Sequence, residues 1–159
     1  MNRAWGAFTI EEALTGISAA GFTMVEFCSQ QNVDLIRPDS SDEELDLLHE
    51  MLASKNLSFD MIIAGPDLHL PEAGIIPSFD KLAANVARLG GKYILACGVE
   101  DESLYDTYLR LLATSCDAAA SYGIKILLKP HGAVSATDDE LLRALARVNK
   151  PNFAISYAP

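Results

Sequence analysis

One recurring rhythm restricts this chain more than any other feature. Stretches with helical apolar spacing end at Gly21, Gly91, Gly123 and Asn149, and a short apolar run follows each. Glycine suits the position just past a helix because it takes positive φ without strain. Counting a further run near residue 61, the apolar runs centre near residues 25, 61, 94, 126 and 155, about 30 to 35 residues apart, the length of one strand–helix unit. Such crossovers are right-handed and make neighbouring strands parallel.

The units follow in order. Thr9 and Glu12 form a capping box for a helix that Gly21 closes, and residues 22–27 read as a strand. Residues 39–41 can cap a second helix running to about residue 54, whose acidic first turn suits the positive end of the helix dipole. A strand over 59–64 leads into a long loop over 65–77 with three prolines, and Ser78 opens the third helix. A strand over 93–96 precedes a helix that Asp101 caps and that runs over 102–122; the strand over 124–128 ends in Lys-Pro-His-Gly. Thr137 and Glu140 make another capping box, for a helix expected to bury Leu141, Leu142, Leu145 and Val148; Pro151 blocks its continuation, and residues 153–157 form the last strand. Residues 1–8 carry no clear element.

Two α/β architectures fit this order: a doubly wound open sheet, or part of an eightfold barrel. No Gly-x-Gly-x-x-Gly or Gly-x-x-x-x-Gly-Lys-Ser/Thr occurs, which weighs against nucleotide-binding open sheets. Both architectures place their chemistry at the carboxyl ends of the strands. The net charge of −10 argues against nucleic acid and anionic membranes as partners. No run approaches the roughly 20 apolar residues of a membrane span, and the N-terminus lacks the apolar core of a signal peptide. Cys28, Cys97 and Cys116 form neither a zinc motif nor a disulfide framework. A cytoplasmic protein with reduced thiols is expected.

Several segments resemble one family. Residues 9–14 (TIEEAL) through 20–27 (AGFTMVEF) are similar to the opening of the xylose isomerase-like barrels, which include sugar phosphate isomerases and epimerases. Residues 88–95 (RLGGKYIL) resemble their fourth-strand entrance, 120–131 their fifth and 152–159 (NFAISYAP) their sixth. The resemblance implies one partial (β/α)8 TIM-barrel domain over residues 1–159, comprising about strands 2 to 6 as a parallel sheet with outer helices. Five strands leave the edges near Phe22 and Phe153 open, so association of copies over those edges is expected.

The resemblance also implies chemistry. Family members hold a divalent metal (Mn²⁺, Mg²⁺ or Zn²⁺) that polarises a carbonyl or enediolate while side chains move a proton between adjacent carbons. Here Lys129 stands where the fifth strand usually supplies Glu, and Ala158 where the sixth often supplies Asp. Neither can ligate a metal, so no metal ligand is assigned. Lys129, His131 and Glu26 are the candidate catalytic residues, Lys129 for an oxyanion or phosphate and His131 as a proton shuttle. His69, Glu100 and Tyr157 are candidates for binding substrate.

Each has a plainer reading. His131 could bond the turn backbone, Glu26 could pair with a nearby cation, and His69 beside Asp67 could be an ordinary surface residue. Asp101 reads most simply as a helix cap, and Cys28 and Cys97 as small buried fillers. Two functions follow. One is a sugar or sugar-phosphate isomerase or epimerase in the full-length form, with a small sugar or sugar phosphate as its ligand. The alternative is a catalytically inactive partial barrel that binds a ligand or serves a structural role.

Overall fold

The computed structural model describes residues 2–28, 33–131 and 136–156. Five strands, β1 (Met24–Phe27), β2 (Ser58–Ile63), β3 (Tyr93–Cys97), β4 (Lys125–Lys129) and β5 (Phe153–Ile155), alternate with five helices, α1 (Ile10–Ala19), α2 (Asp42–Ser54), α3 (Glu72–Arg88), α4 (Tyr105–Ala120) and α5 (Asp138–Val148). The strands form one parallel sheet in the order β1-β2-β3-β4-β5. The order never reverses, so the doubly wound alternative falls away. With right-handed crossovers, sequential order puts every helix on one face of the sheet. This is an α/β fold consistent with a partial (β/α)8 barrel.

Local chemistry sets the helix starts. Thr9 with Glu12, Ser41 with Glu44 and Thr137 with Glu140 each close a reciprocal capping box. In each box a carboxylate accepts from the cap's backbone N–H, which holds Glu12, Glu44 and Glu140 below the usual carboxylate range. Asp101 caps a 3₁₀ turn over Glu102–Leu104, and α4 begins only at Tyr105. Among the described residues no helix is long and apolar enough to cross a membrane.

Several expectations are corrected. α3 opens at Glu72 behind Pro71, not at Ser78, and carries Pro77 inside it. Its buried stripe of Ile75, Phe79, Leu82, Ala83 and Val86 starts before the proline, and that packing offsets the hydrogen bond Pro77 cannot make. On α5 only Ala144 and Val148 are buried; Leu142 is 63% exposed and Leu145 37%. The N-terminus is not featureless: Asn2–Trp5 forms a 3₁₀ turn whose indole lies against Gly16 of α1, leaving no room for a Cβ there.

Register divides the sheet into two faces. Phe27, Ile62, Ile94, Ile126 and Phe153 form one row toward the helices, all buried. Successive side chains alternate across a strand, so Glu26, Met61, Tyr93 and Lys125 form a row on the opposite, inner face. Ile63, Leu95, Leu127 and Ala154 form the next inner row, and Cys97 with Lys129 the row above it. A bulge at Asp60 shifts the β1–β2 register so that Met61 falls into the inner row.

Candidate functional site

The inner face rises from Glu26 to Lys129, and its upper end is where the strands release their loops. β3 and β4 are delivered by similar devices. Gly90 and Gly123 take positive φ after α3 and α4. Gly91 then packs so tightly against Phe59 and Val86 that a Cβ would lie 2.5 Å from Phe59 Cε1. Asn152 fixes β5, its Nδ2 donating to the carbonyls of Cys116 (2.8 Å) and Ile124 (3.1 Å).

Lys129 ends β4, half-buried, with Cys97 as its register partner on β3. A cavity of about 350 Å³ opens beside Cys97, lined by Ile63, Gly65, Asp67, His69, Val99 and Tyr108 among others. His69 is exposed, and its backbone N–H donates to Asp67 Oδ1 at 2.9 Å, so the loop places the imidazole at the rim. Glu100 is exposed in the loop after β3, and His131 is exposed two residues past Lys129. Lys129 thus ends β4, and His69, Glu100 and His131 lie on loops that follow β2, β3 and β4. Cys28 and Cys97, expected as buried fillers, are both only half-buried.

Glu26 is not part of that group. It is half-buried in the row of Lys125, two rows below Lys129. Four residues of strand separate those rows, about 13 Å along the backbone. Tyr157 and Ala158 lie outside the described residues, as does Gly132 of the turn after β4.

Tyr108 and Arg37 escaped the sequence reading. Tyr108 is buried in α4 and its hydroxyl donates to the Cys97 carbonyl, tying the helix to the end of β3; burial pushes its phenol well above the usual range. The one signal for it is its place in the stripe Tyr105, Tyr108, Leu112, where an apolar reading is equally natural. Arg37 borders a second cavity of about 220 Å³ with Asp34, Asp67 and Ser78. Its guanidinium grips both oxygens of Glu44 (2.9 and 3.1 Å) and Asp39 (3.2 Å), while its carbonyl accepts from Asn85. These bonds fasten the β1–α2 loop to α2 and α3.

A divalent ion needs several anionic or imidazole donors brought together. Among the described residues no three His, Cys, Asp or Glu side chains are grouped to hold one. The half-buried group at the top of β4 is a cation, where such an ion favours anionic oxygen. The described residues do not fit a metal.

Known proteins match this geometry. A probable 3-DHS dehydratase, AsbF from Bacillus anthracis, superposes with a TM-score of 0.72 at 19% identity, covering 94% of this chain and 57% of that one. A D-psicose 3-epimerase solved in the presence of D-fructose gives 0.72 at 17% identity, covering 93% and 57%. A xylose isomerase-like TIM barrel protein from Mycobacterium smegmatis, in complex with magnesium, gives 0.74 at 14% identity, covering 98% and 56%. The chain therefore spans less than three-fifths of the length of these structures, and at such identities they show the fold alone. No curated protein matches it in sequence. The sequence profile of one family covers residues 14–159, every strand of the sheet included. By that match the chain belongs to the xylose isomerase-like TIM barrel family.

Proposed function

We propose that this chain is a binding partial barrel rather than a catalyst: it holds a small sugar or sugar phosphate at the strand ends and does not itself move a proton between carbons. The observation that carries this reading is Lys129, a half-buried cation on the inner face at the end of β4. A lysine there repels a divalent ion and attracts a phosphate or carboxylate. His69, Glu100 and His131, on loops that follow β2, β3 and β4, are the proposed groups for bonding hydroxyls, and Tyr157 is the remaining candidate for that role. Glu26 lies two rows deeper on the same face, and on this reading it takes no part in a proton transfer. The sugar class is supported by the epimerase among the structural neighbours.

A second reading keeps the family chemistry: a metal-assisted isomerase or epimerase whose metal ligands lie outside the described residues. The magnesium-bound neighbour favours it. Calorimetric titration with fructose 6-phosphate and with fructose separates the two. On the first reading the phosphate ester binds more tightly, Lys129→Met weakens it by roughly tenfold or more, the loss of one charge-assisted bond, and millimolar Mn²⁺ leaves the melting temperature unchanged. Unaltered binding by Lys129→Met overturns it. A Mn²⁺-raised melt with exchange of a substrate C–H in D₂O establishes the second.

A further inference from the structure

The cavity of about 220 Å³ beside Arg37 has an apolar wall away from Lys129. Ile62 of β2, Phe79 and Leu82 of α3 and Ile36 of the β1–α2 loop form that wall, and all four are buried. Ile62 sits in the row turned toward the helices, whereas Lys129 stands on the opposite face of the sheet. The wall therefore lies between the sheet and α3. Residues 63–65 and Asp67 line both this space and the cavity beside Cys97, so the two adjoin at the loop after β2.

The polar groups bordering the space are Asp34, Arg37, Asp67 and Ser78. The guanidinium is already committed. Its Nε donates to Asp39, its Nη1 to the Asp34 carbonyl and its Nη2 to both oxygens of Glu44. Two carboxylates outside the cavity thus neutralise it, while those of Asp34 and Asp67 remain at the border. Asp67 Oδ1 accepts from the His69 N–H; among the described residues its Oδ2 accepts nothing, and Ser78 Oγ bonds nothing. Lys81, exposed one turn after Ser78, lines an adjoining cavity together with Asp39.

We propose that this cavity is a second binding site, one that takes a small organic ammonium: a protonated primary amine on an apolar body the size of an aromatic ring. Size and lining select the body. An apolar void of about 150 Å³ holds benzene, so about 220 Å³ holds a ring and a short arm. Charge selects the head. Two carboxylates repel an anion, and low-dielectric walls strengthen the field of a fixed charge. An ammonium carries three donors, and three acceptors border the space: the Asp34 carboxylate, Asp67 Oδ2 and Ser78 Oγ. A bare divalent ion is a poor occupant, because among the described residues no three metal-binding side chains are grouped. A sugar is poorer still, since the apolar wall would strip its hydroxyls of water without replacing their bonds.

The test uses the full chain with isotopically labelled Ile and Leu methyl groups followed by NMR. Phenethylammonium is the probe, and phenylpropionate, of nearly the same shape and opposite charge, is the control. The ammonium should bind with a Kd on the order of 1 mM and shift the methyl resonances of Ile36, Ile62 and Leu82; phenylpropionate should shift none of them. Asp34→Asn and Asp67→Asn should each weaken binding by roughly threefold, the scale of an exposed ion pair. Asp67→Asn keeps an acceptor for the His69 N–H, so the loop is retained. Ser78→Leu, which fills the space, should abolish the shifts while the chain still melts cooperatively. Equal binding of the two probes, or binding that neither Asp variant weakens, would overturn the proposal. Shifts that bypass these three residues, or that persist in Ser78→Leu, would overturn it as surface association. No shift at roughly twenty times the expected Kd would overturn it outright. No sugar phosphate enters these measurements and Lys129 is unchanged throughout, so their outcome is separate from that of the ligand titration.

Discussion

Replacing Gly91 by Ala adds one carbon where the structure has no space for it. Gly91 does not take positive φ, so alanine is not excluded by its backbone. The added Cβ would lie 2.5 Å from Phe59 Cε1, 2.7 Å from Val86 Cγ1 and 3.0 Å from the Val86 carbonyl. Phe59 cannot retreat toward Phe27. It stacks on Phe27 with ring centroids 5.0 Å apart, and Phe27 is wholly buried. Overpacking of a tight core costs about 1–3 kcal/mol, while alanine returns about 0.4–1 kcal/mol by restricting the unfolded chain. The net expectation is a loss of about 1–2 kcal/mol, or about 2–8 °C in Tm for a chain of this size. Urea melts of wild type, Gly91→Ala, Val86→Ala and the double variant would measure it. In the double variant the Gly91→Ala cost should shrink, because one of the colliding carbons is gone. A Gly91→Ala protein as stable as wild type, or strictly additive costs, would refute the reasoning.

Acid should weaken the protein through its capping boxes. Glu12, Glu44 and Glu140 titrate lower in the folded chain than in the unfolded one, chiefly because each accepts from the backbone N–H of its cap. Their contribution is therefore complete above about pH 4.5 and disappears as pH falls through the depressed folded values. Changing all three to Gln should flatten the urea midpoint between pH 5 and 3; an unchanged slope would exclude these groups as its source. The Cys116 thiol, pushed up to about 12 by burial and by Asp117, should resist a disulfide reagent at pH 8 until the chain unfolds. Cys97, at the cavity mouth, should be labelled in the native state. Equal labelling rates for the two would contradict the packing of α4.

What could be read from the sequence was mostly local. Thr9 with Glu12 and Thr137 with Glu140 announce their helices because both partners of the bond lie within one turn. Asn149 signals the end of α5 because it takes the left-handed conformation there, φ 44°. Three prolines make residues 65–77 read as a loop with a helix opening at Ser78, whereas the start at Glu72 goes with the burial of Ile75, which spacing alone does not reveal. Leu142 and Leu145 were expected inside because spacing identifies the apolar face of a helix, not whether anything covers it. The same limit applies to the site. Lys129 and His131 are legible as polar residues after a strand, but that Lys129 meets Cys97 and not Glu26 depends on register between strands more than 30 residues apart. The grip of Asn2 on Cys28 spans 26 positions and has no local mark at all.

The uninterrupted strand order has a consequence for how the chain is made. Every ladder joins a strand to the one synthesised just before it. As each strand leaves the ribosome its partner is already outside, and no segment must wait for a distant one before pairing. Loop closure between partners is thus confined to one unit at a time, which keeps the entropic barrier low. Growth can proceed from the N-terminal end, with each new edge serving as the template for the next strand and existing as an exposed edge only until that strand arrives.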